Sequence, residues 1–106
     1  MASTKGFLEY VLEQLSPLGE VSFRPMMGEY LIYYRGAVIG GVYDDRFLVK
    51  PTENALLIMS GSPAGARMDV PYPGGRQMLT ADVDDRELTC RLVSAVREDL
   101  PDRKKK

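Results

Sequence analysis

The chain has no histidine and a single cysteine, Cys90, among its 106 residues. Histidine is the usual general base near neutral pH and the commonest zinc ligand. Its absence excludes Ser-His-Asp and Cys-His nucleophile arrangements outright. A zinc site needs several thiolates or imidazoles, which one thiol does not supply. One cysteine also forbids an intrachain disulfide, which suits a reducing compartment. Apolar runs are short: Met1-Ala2-Ser3-Thr4-Lys5-Gly6 leads straight into a segment carrying Glu9 and Glu13, with no leader-type apolar core and no bilayer-spanning stretch. A cytoplasmic location is expected. Gly61–Gly65 and Gly74-Gly75-Arg76 are glycine-rich but lack the strand, helix and lysine that frame phosphate-cradling loops. They read as turns, and no cofactor is expected.

What is present is an ordinary globular balance in one domain's length of chain. The net charge of −1 is unevenly placed. Over residues 1–102 there are ten basic residues against fifteen acidic, a net of −5, because Arg103 to Lys106 are all basic. An acidic body repels a phosphate backbone, so any nucleic-acid contact would rest on that tail or on a local patch. Residues 1–100 are expected to form a single domain and 101–106 a basic disordered tail.

Phe7, Leu8, Val11, Leu12 and Leu15 recur at helical spacing and predict a helix over 4–15, stopped by Ser16-Pro17 and Gly19. Strands follow at Val21–Arg24, ending at Pro25, then at Glu29–Tyr34, Ala37–Tyr43 and Arg46–Lys50. Arg35-Gly36 and Asp44-Asp45 are the hairpin turns between them. Tyr30, Ile32 and Tyr34 alternate with Leu31 and Tyr33, so both sheet faces carry apolar groups. Gly40-Gly41 inside a strand predicts a bulge or a close backbone approach. Thr52 caps a short helix over 53–59. Edge and final strands are predicted at Met68–Tyr72 and Gln77–Ala81. A last helix starts at Asp84 or Asp85, where Asp84 and Glu87 have capping-box spacing, and it buries Leu88, Leu92, Ala95 and Val96. This order (α-β-β-β-β-α-β-β-α) implies an α+β fold of two layers, an antiparallel sheet packed by N- and C-terminal helices with a short middle helix.

Few constellations carry chemistry. Asp44-Asp45 and Asp82, Asp84 and Asp85 are carboxylate clusters, but turn and cap chemistry accounts for them. Cys90 lies near Arg97, and a nearby cation would favour a reactive thiolate; the plainer reading is a half-buried structural thiol. Arg24, Arg35, Arg46, Lys50 and Arg76 with Tyr30, Tyr33, Tyr34, Tyr43 and Tyr72 form either a basic-aromatic binding surface or a solvated strand face.

The stretch Phe23-Arg24-Pro25-Met26-Met27-Gly28-Glu29-Tyr30, then Leu31 to Gly36, then Val38 to Lys50 with its paired acidic turn, resembles the N-terminal domain of TfoX/Sxy proteins. Pro71-Tyr72 and the final helix look like that family's remaining elements, so the resemblance spans residues 5–100. Met27 stands where phenylalanine is usual in the family, and Glu29 where glycine is usual. The resemblance implies a small helix-on-sheet fold that often pairs, a non-enzymatic regulatory role, and a link to competence. Longer members carry a second helical domain and act with a cyclic-AMP receptor protein at promoters.

The leading expectation is a protein-binding module with a transcription factor as partner and a homodimer as one of its forms. The alternative is a direct nucleic-acid binder using the tail and an Arg/Tyr face. A small-molecule or enzyme domain comes last. No catalytic or metal residues are expected. The candidate interaction surface is Arg24, Met27, Gly28, Glu29, Tyr30, Tyr34 and Lys50.

Overall fold

The computed structural model describes residues 4–63 and 65–100; the basic run 101–106 lies outside them. Three tight turns organise the first half of the molecule. They join β1 (Val21–Met26), β2 (Glu29–Tyr34), β3 (Ala37–Tyr43) and β4 (Arg46–Val49) through Met27-Gly28, Arg35-Gly36 and Asp44-Asp45. All six turn residues have positive φ, between 52° and 87°. That is the mirror-image turn whose twist matches right-handed strands. Gly28 and Gly36 take this conformation freely and Asp44 and Asp45 tolerate it, whereas Met27 and Arg35 hold it at a cost of roughly 1–2 kcal/mol each.

The six-stranded sheet runs in the order β1-β2-β3-β4-β6-β5, with β5 (Met68–Asp69) and β6 (Met78–Thr80). Every pairing is antiparallel. The sequence-based end of the first strand at Pro25 is corrected: β1 runs through Pro25, which pairs with Tyr30. An edge strand tolerates a residue without an N–H, provided the missing donor faces away from the ladder. The fifth strand is shorter than expected, because the chain leaves the sheet after Asp69.

The glycine pair in β3 has a structural reason. The β2–β3 register shifts between Ile32 and Tyr33, so Tyr33 faces Val38 while Ile32 faces Gly40, and Ile39 is the extra residue. Gly40 also sits against β4: a Cβ there would lie 2.2 Å from the Leu48 carbonyl oxygen and 2.7 Å from Val49 Cα. Gly41 lies under the Tyr43 ring, which a Cβ would approach to 2.8 Å.

Among the described residues, three α-helices cover one face of the sheet. In α1 (Lys5–Gln14) the Thr4 hydroxyl accepts from the Phe7 N–H as N-cap. The Thr4 N–H and hydroxyl donate to Asp45 Oδ1 at 2.8 and 3.1 Å, tying the helix start to the β3–β4 turn. Thr52 caps α2 (Glu53–Ser60) by accepting from the Ala55 N–H. The cap of α3 (Arg86–Asp99) is Asp85, which accepts from the Leu88 N–H at 3.1 Å. Asp84 is not the cap; its carboxylate accepts from the Tyr10 hydroxyl at 2.7 Å. Leu8, Val11 and Leu15 from the N-terminal segment meet Leu88, Leu92, Val93 and Val96 from α3 above Ile32, Ile39, Val42, Phe47 and Val49 of the sheet. Burying each such side chain contributes about 1.5–3 kcal/mol. Ala95 is only half-buried, and Val93 and the fully buried Thr89 take inward positions beside it. The Thr89 hydroxyl donates to the Asp82 carbonyl at 2.8 Å. Among the described residues, no helix is long and apolar enough to cross a membrane.

Gly40→Ala should destabilise the chain by about 1–3 kcal/mol or more, because a methyl group would collide with the backbone of β4. Urea unfolding measures this. Gly6→Ala, where a Cβ meets nothing within 4 Å, is the control and should be neutral or slightly stabilising.

Candidate functional site

The face of the sheet away from the helices divides into two halves. Over β3 and β4 it is roofed by the segment that follows β5. Arg46 holds this segment: its guanidinium donates to Asp69 Oδ2 at 2.6 Å and to the carbonyls of Val70 and Pro71 at 3.1 and 3.4 Å, while Nε donates to the Tyr43 carbonyl at 3.1 Å. The Tyr43 and Tyr72 rings meet edge-on, 6.3 Å apart. Pro71, Tyr43 and Leu48 are buried as a result. Arg46 also holds the Asp69 carboxyl below its ordinary range, helped by the Val70 N–H. Tyr43 is raised above the usual phenol value chiefly by burial. Arg46 is thus spent on the protein's own carbonyls and one carboxylate, and is not an open receptor for an anion.

Over β1 and β2 the same face is open. The register puts Ser22 opposite Tyr33, Arg24 opposite Leu31 and Met26 opposite Glu29, with Val38 of β3 beyond Tyr33. Leu31, Tyr33 and Val38 are half-buried, and Arg24 is exposed. At one end of this strip the β1–β2 turn projects Met27, which is 97% exposed. Glu29 is anchored beside it, its carboxylate accepting from the Asp44 N–H at 3.1 Å.

The candidate residues inferred from sequence separate into three places. Arg24, Met27, Gly28 and Glu29 lie together at the β1–β2 corner. Tyr30 and Tyr34 lie on the other face, packed at the margin of the core beneath the helices. Tyr30 makes an edge-on contact with Phe23 at 5.9 Å, and the Arg35 guanidinium sits 5.9 Å from the Tyr34 ring. Lys50 follows β4, its N–H donating to the Ile39 carbonyl at 2.9 Å, at the opposite end from Met27. The basic-aromatic set is therefore split between faces rather than gathered on one. Sequence reasoning missed the open strip of Leu31, Tyr33 and Val38 as a unit, since nothing local shows that Arg46 and Asp69, 23 residues apart, roof only the other half.

Other groups have structural roles. The Cys90 thiol donates to the Gln14 carbonyl at 3.3 Å, and burial pushes it up despite the opposing pull of Arg86. The cation beside it is Arg86 rather than the Arg97 expected from sequence. Arg97 reaches instead to the Arg35 carbonyl. Asp99 accepts from the Asn54 backbone and side chain, and the backbone bond in particular holds its carboxyl low. Among the described residues, no group of three or more Cys, Asp or Glu side chains is arranged to hold a metal ion.

These features define a small α+β domain in which helices cover one sheet face and the other is half open. Residues 13–60, from within α1 through α2, match the TfoX N-terminal domain. All seven candidate residues fall inside that match. The chain is also 32% identical over 82 residues to an uncharacterized 12.7 kDa protein in the trpE 5′ region of Spirochaeta aurantia, an alignment covering 77% of this chain and 68% of that one. No solved structure matches. The chain belongs to the TfoX N-terminal domain family.

The Arg46–Asp69 pair predicts a specific pH dependence. Because the folded-state pKa of Asp69 is lowered from 3.8, its contribution is full above that value and is lost as pH falls through the folded value. The stability gap between the wild type and Asp69→Asn should be constant from neutral to mildly acidic pH. It should close on further acidification, as read by urea midpoints across pH.

Proposed function

We propose that this chain is a non-enzymatic regulatory module that binds a protein partner through the β1–β2 corner and the open strip beside it. The observation that carries this reading is Met27. It is a large flexible apolar side chain, 97% exposed and held at φ 52° on a rigid turn. A turn of this kind is ordinarily built from Asn, Asp or Gly, so the chain meets a conformational cost to present a thioether to solvent. The turn conformation itself serves the hairpin; what it adds is a fixed, outward presentation of the side chain, and methionine suits adaptable protein-binding surfaces. Arg24 and Glu29 flank it with charges of both signs, and Leu31, Tyr33 and Val38 extend it as a half-buried apolar strip. Apolar centres with polar rims are the usual anatomy of protein interfaces.

Membership of the TfoX N-terminal domain family supports a regulatory role and directs attention to a transcription factor as partner. Direct nucleic-acid binding has less support, because Tyr30 and Tyr34 lie on the helix-covered face and Arg46 is engaged internally.

Titration of the chain against a purified cyclic-AMP receptor protein tests the proposal by calorimetry. The wild type should bind, and Met27→Asp should weaken binding by roughly tenfold or more with no loss in unfolding midpoint. No binding, or equal binding by the variant, would overturn it.

A further inference from the structure

The backbone of β1 carries a second, separate message. Its hairpin closes on the pair Met26 and Glu29 around a two-residue turn, so those two residues bond to each other. Narrow and wide pairs then alternate back along the strand. The pairs at Arg24 and Ser22 are therefore bonded, and so is the next, where the Arg35 N–H donates to the Glu20 carbonyl at 3.0 Å. It follows that the N–H and C=O groups of Val21 and Phe23 point away from β2, as does the carbonyl of Pro25. The proline stands at the position where its missing N–H leaves the β1–β2 ladder intact.

Among the described residues, nothing pairs with this outward edge. β1 is the end strand of the sheet, and all of its residues after Val21 are exposed. Beneath the edge runs a groove of about 490 Å³ whose lining includes Leu12, Leu15, Gly19, Val21 and Phe23. Phe23 is 44% exposed at its lip. Bare edges of this length are ordinarily blunted or covered. Among the described residues, β1 carries two features that blunt an edge, Pro25 near one end and the charge of Arg24.

We propose that two copies of this chain pair through β1, antiparallel about a two-fold axis at Ser22, to make one continuous sheet. This goes beyond the partner-binding reading and does not depend on it. The register is selected by chemistry. With Ser22 opposite Ser22 of the second copy, Val21 faces Phe23 of the second copy, and the outward N–H and C=O groups of both residues bond reciprocally. Pro25 lies past the end of the new ladder, where no donor is needed. Arg24 comes beside Glu20 of the second copy, the residue just before β1, which stands at φ 48°, and the same contact recurs by symmetry. The Glu20 carboxylate makes a loose, exposed ion pair at 3.8 Å with Arg35 of its own chain. Sliding the axis to Phe23 would instead set Val21 against Pro25, leaving the Val21 carbonyls without donors, and would lose both charge pairs. In the favoured register Phe23 of each copy lies cross-strand from the other's Val21, which lines that copy's groove.

The register fixes the test. Ser22 and its symmetry mate form a pair not hydrogen-bonded to each other, with Cα atoms about 4.5 Å apart, within disulfide reach. In a Cys90→Ser background, Ser22→Cys should therefore cross-link to a covalent dimer on mild oxidation, and Glu20→Cys should not. In light scattering across a dilution series, the wild type should move between monomer and dimer. Arg24→Glu should weaken the dimer by roughly tenfold or more, and the exchange Glu20→Arg with Arg24→Glu should restore it. All three sites are exposed, so each variant should keep the wild-type unfolding midpoint at dilutions where the wild type is monomeric. A wild type that stays monomeric up to its solubility limit, a dimer indifferent to Arg24→Glu, or a Ser22→Cys chain that does not cross-link would overturn the proposal. The titration with the receptor protein compares the wild type with Met27→Asp, a site outside the proposed ladder, so failure of that reading and failure of the dimer are read separately.

Discussion

The constraint on which the structure depends is the register of the first four strands. It is set by three two-residue turns whose residues all adopt the left-handed region. A turn this short leaves no slack: once Met26 and Glu29 close the first hairpin, every residue of β1 and β2 is assigned a face and a bonding direction. Ile32, Tyr30 and Tyr34 are thereby sent under the helices, and Leu31, Tyr33 and Arg24 to the other side. The same parity places Pro25 where its missing donor costs nothing. Slipping one residue would bury Arg24 and expose Ile32. The conformational cost held in Met27 and Arg35 is offset by the core that this alignment assembles.

The second half of the chain secures what the first half leaves unfinished. Arg46 gathers a carboxylate and three carbonyls, and so fastens the segment after β5 across β3 and β4. This is why Leu48 is fully buried although it lies on the face away from the main core. The roof stops short of β1 and β2. The open strip is therefore a direct consequence of where one guanidinium finds its acceptors, and that strip together with the Met27 corner is the surface through which the proposed partner would bind.

Much of this was legible in the sequence because its signals are local. The bounds of β2 and β3, the Arg35-Gly36 and Asp44-Asp45 turns, and the Thr52 cap are set by residues within a few positions of one another. Gly40-Gly41 announced the bulge for the same reason. The misreadings have physical causes too. Pro25 looked like a terminator because a sequence does not say that β1 is an edge. Asp84 looked like the cap of α3 because its spacing to Glu87 is right, but Tyr10 of α1 claims its carboxylate. The candidate surface is divided by the fold: Arg24, Met27, Gly28 and Glu29 lie together because they flank one turn. Tyr30 and Tyr34 leave that set by the parity of the strand, and Lys50 leaves it by lying at the far end of the sheet.

The fold, its family and its open surface thus meet in one strand, β1, which carries Arg24 toward the corner on one side and unpaired backbone along its edge. Amide hydrogen exchange along β1, followed residue by residue at low and high chain concentration, tests the turn-set register most directly. The account predicts slow exchange at Ser22 and Arg24 at both concentrations, with Val21 and Phe23 fast when dilute and slow when concentrated. Fast exchange at Ser22 and Arg24, or Val21 and Phe23 protected at every dilution, would contradict it.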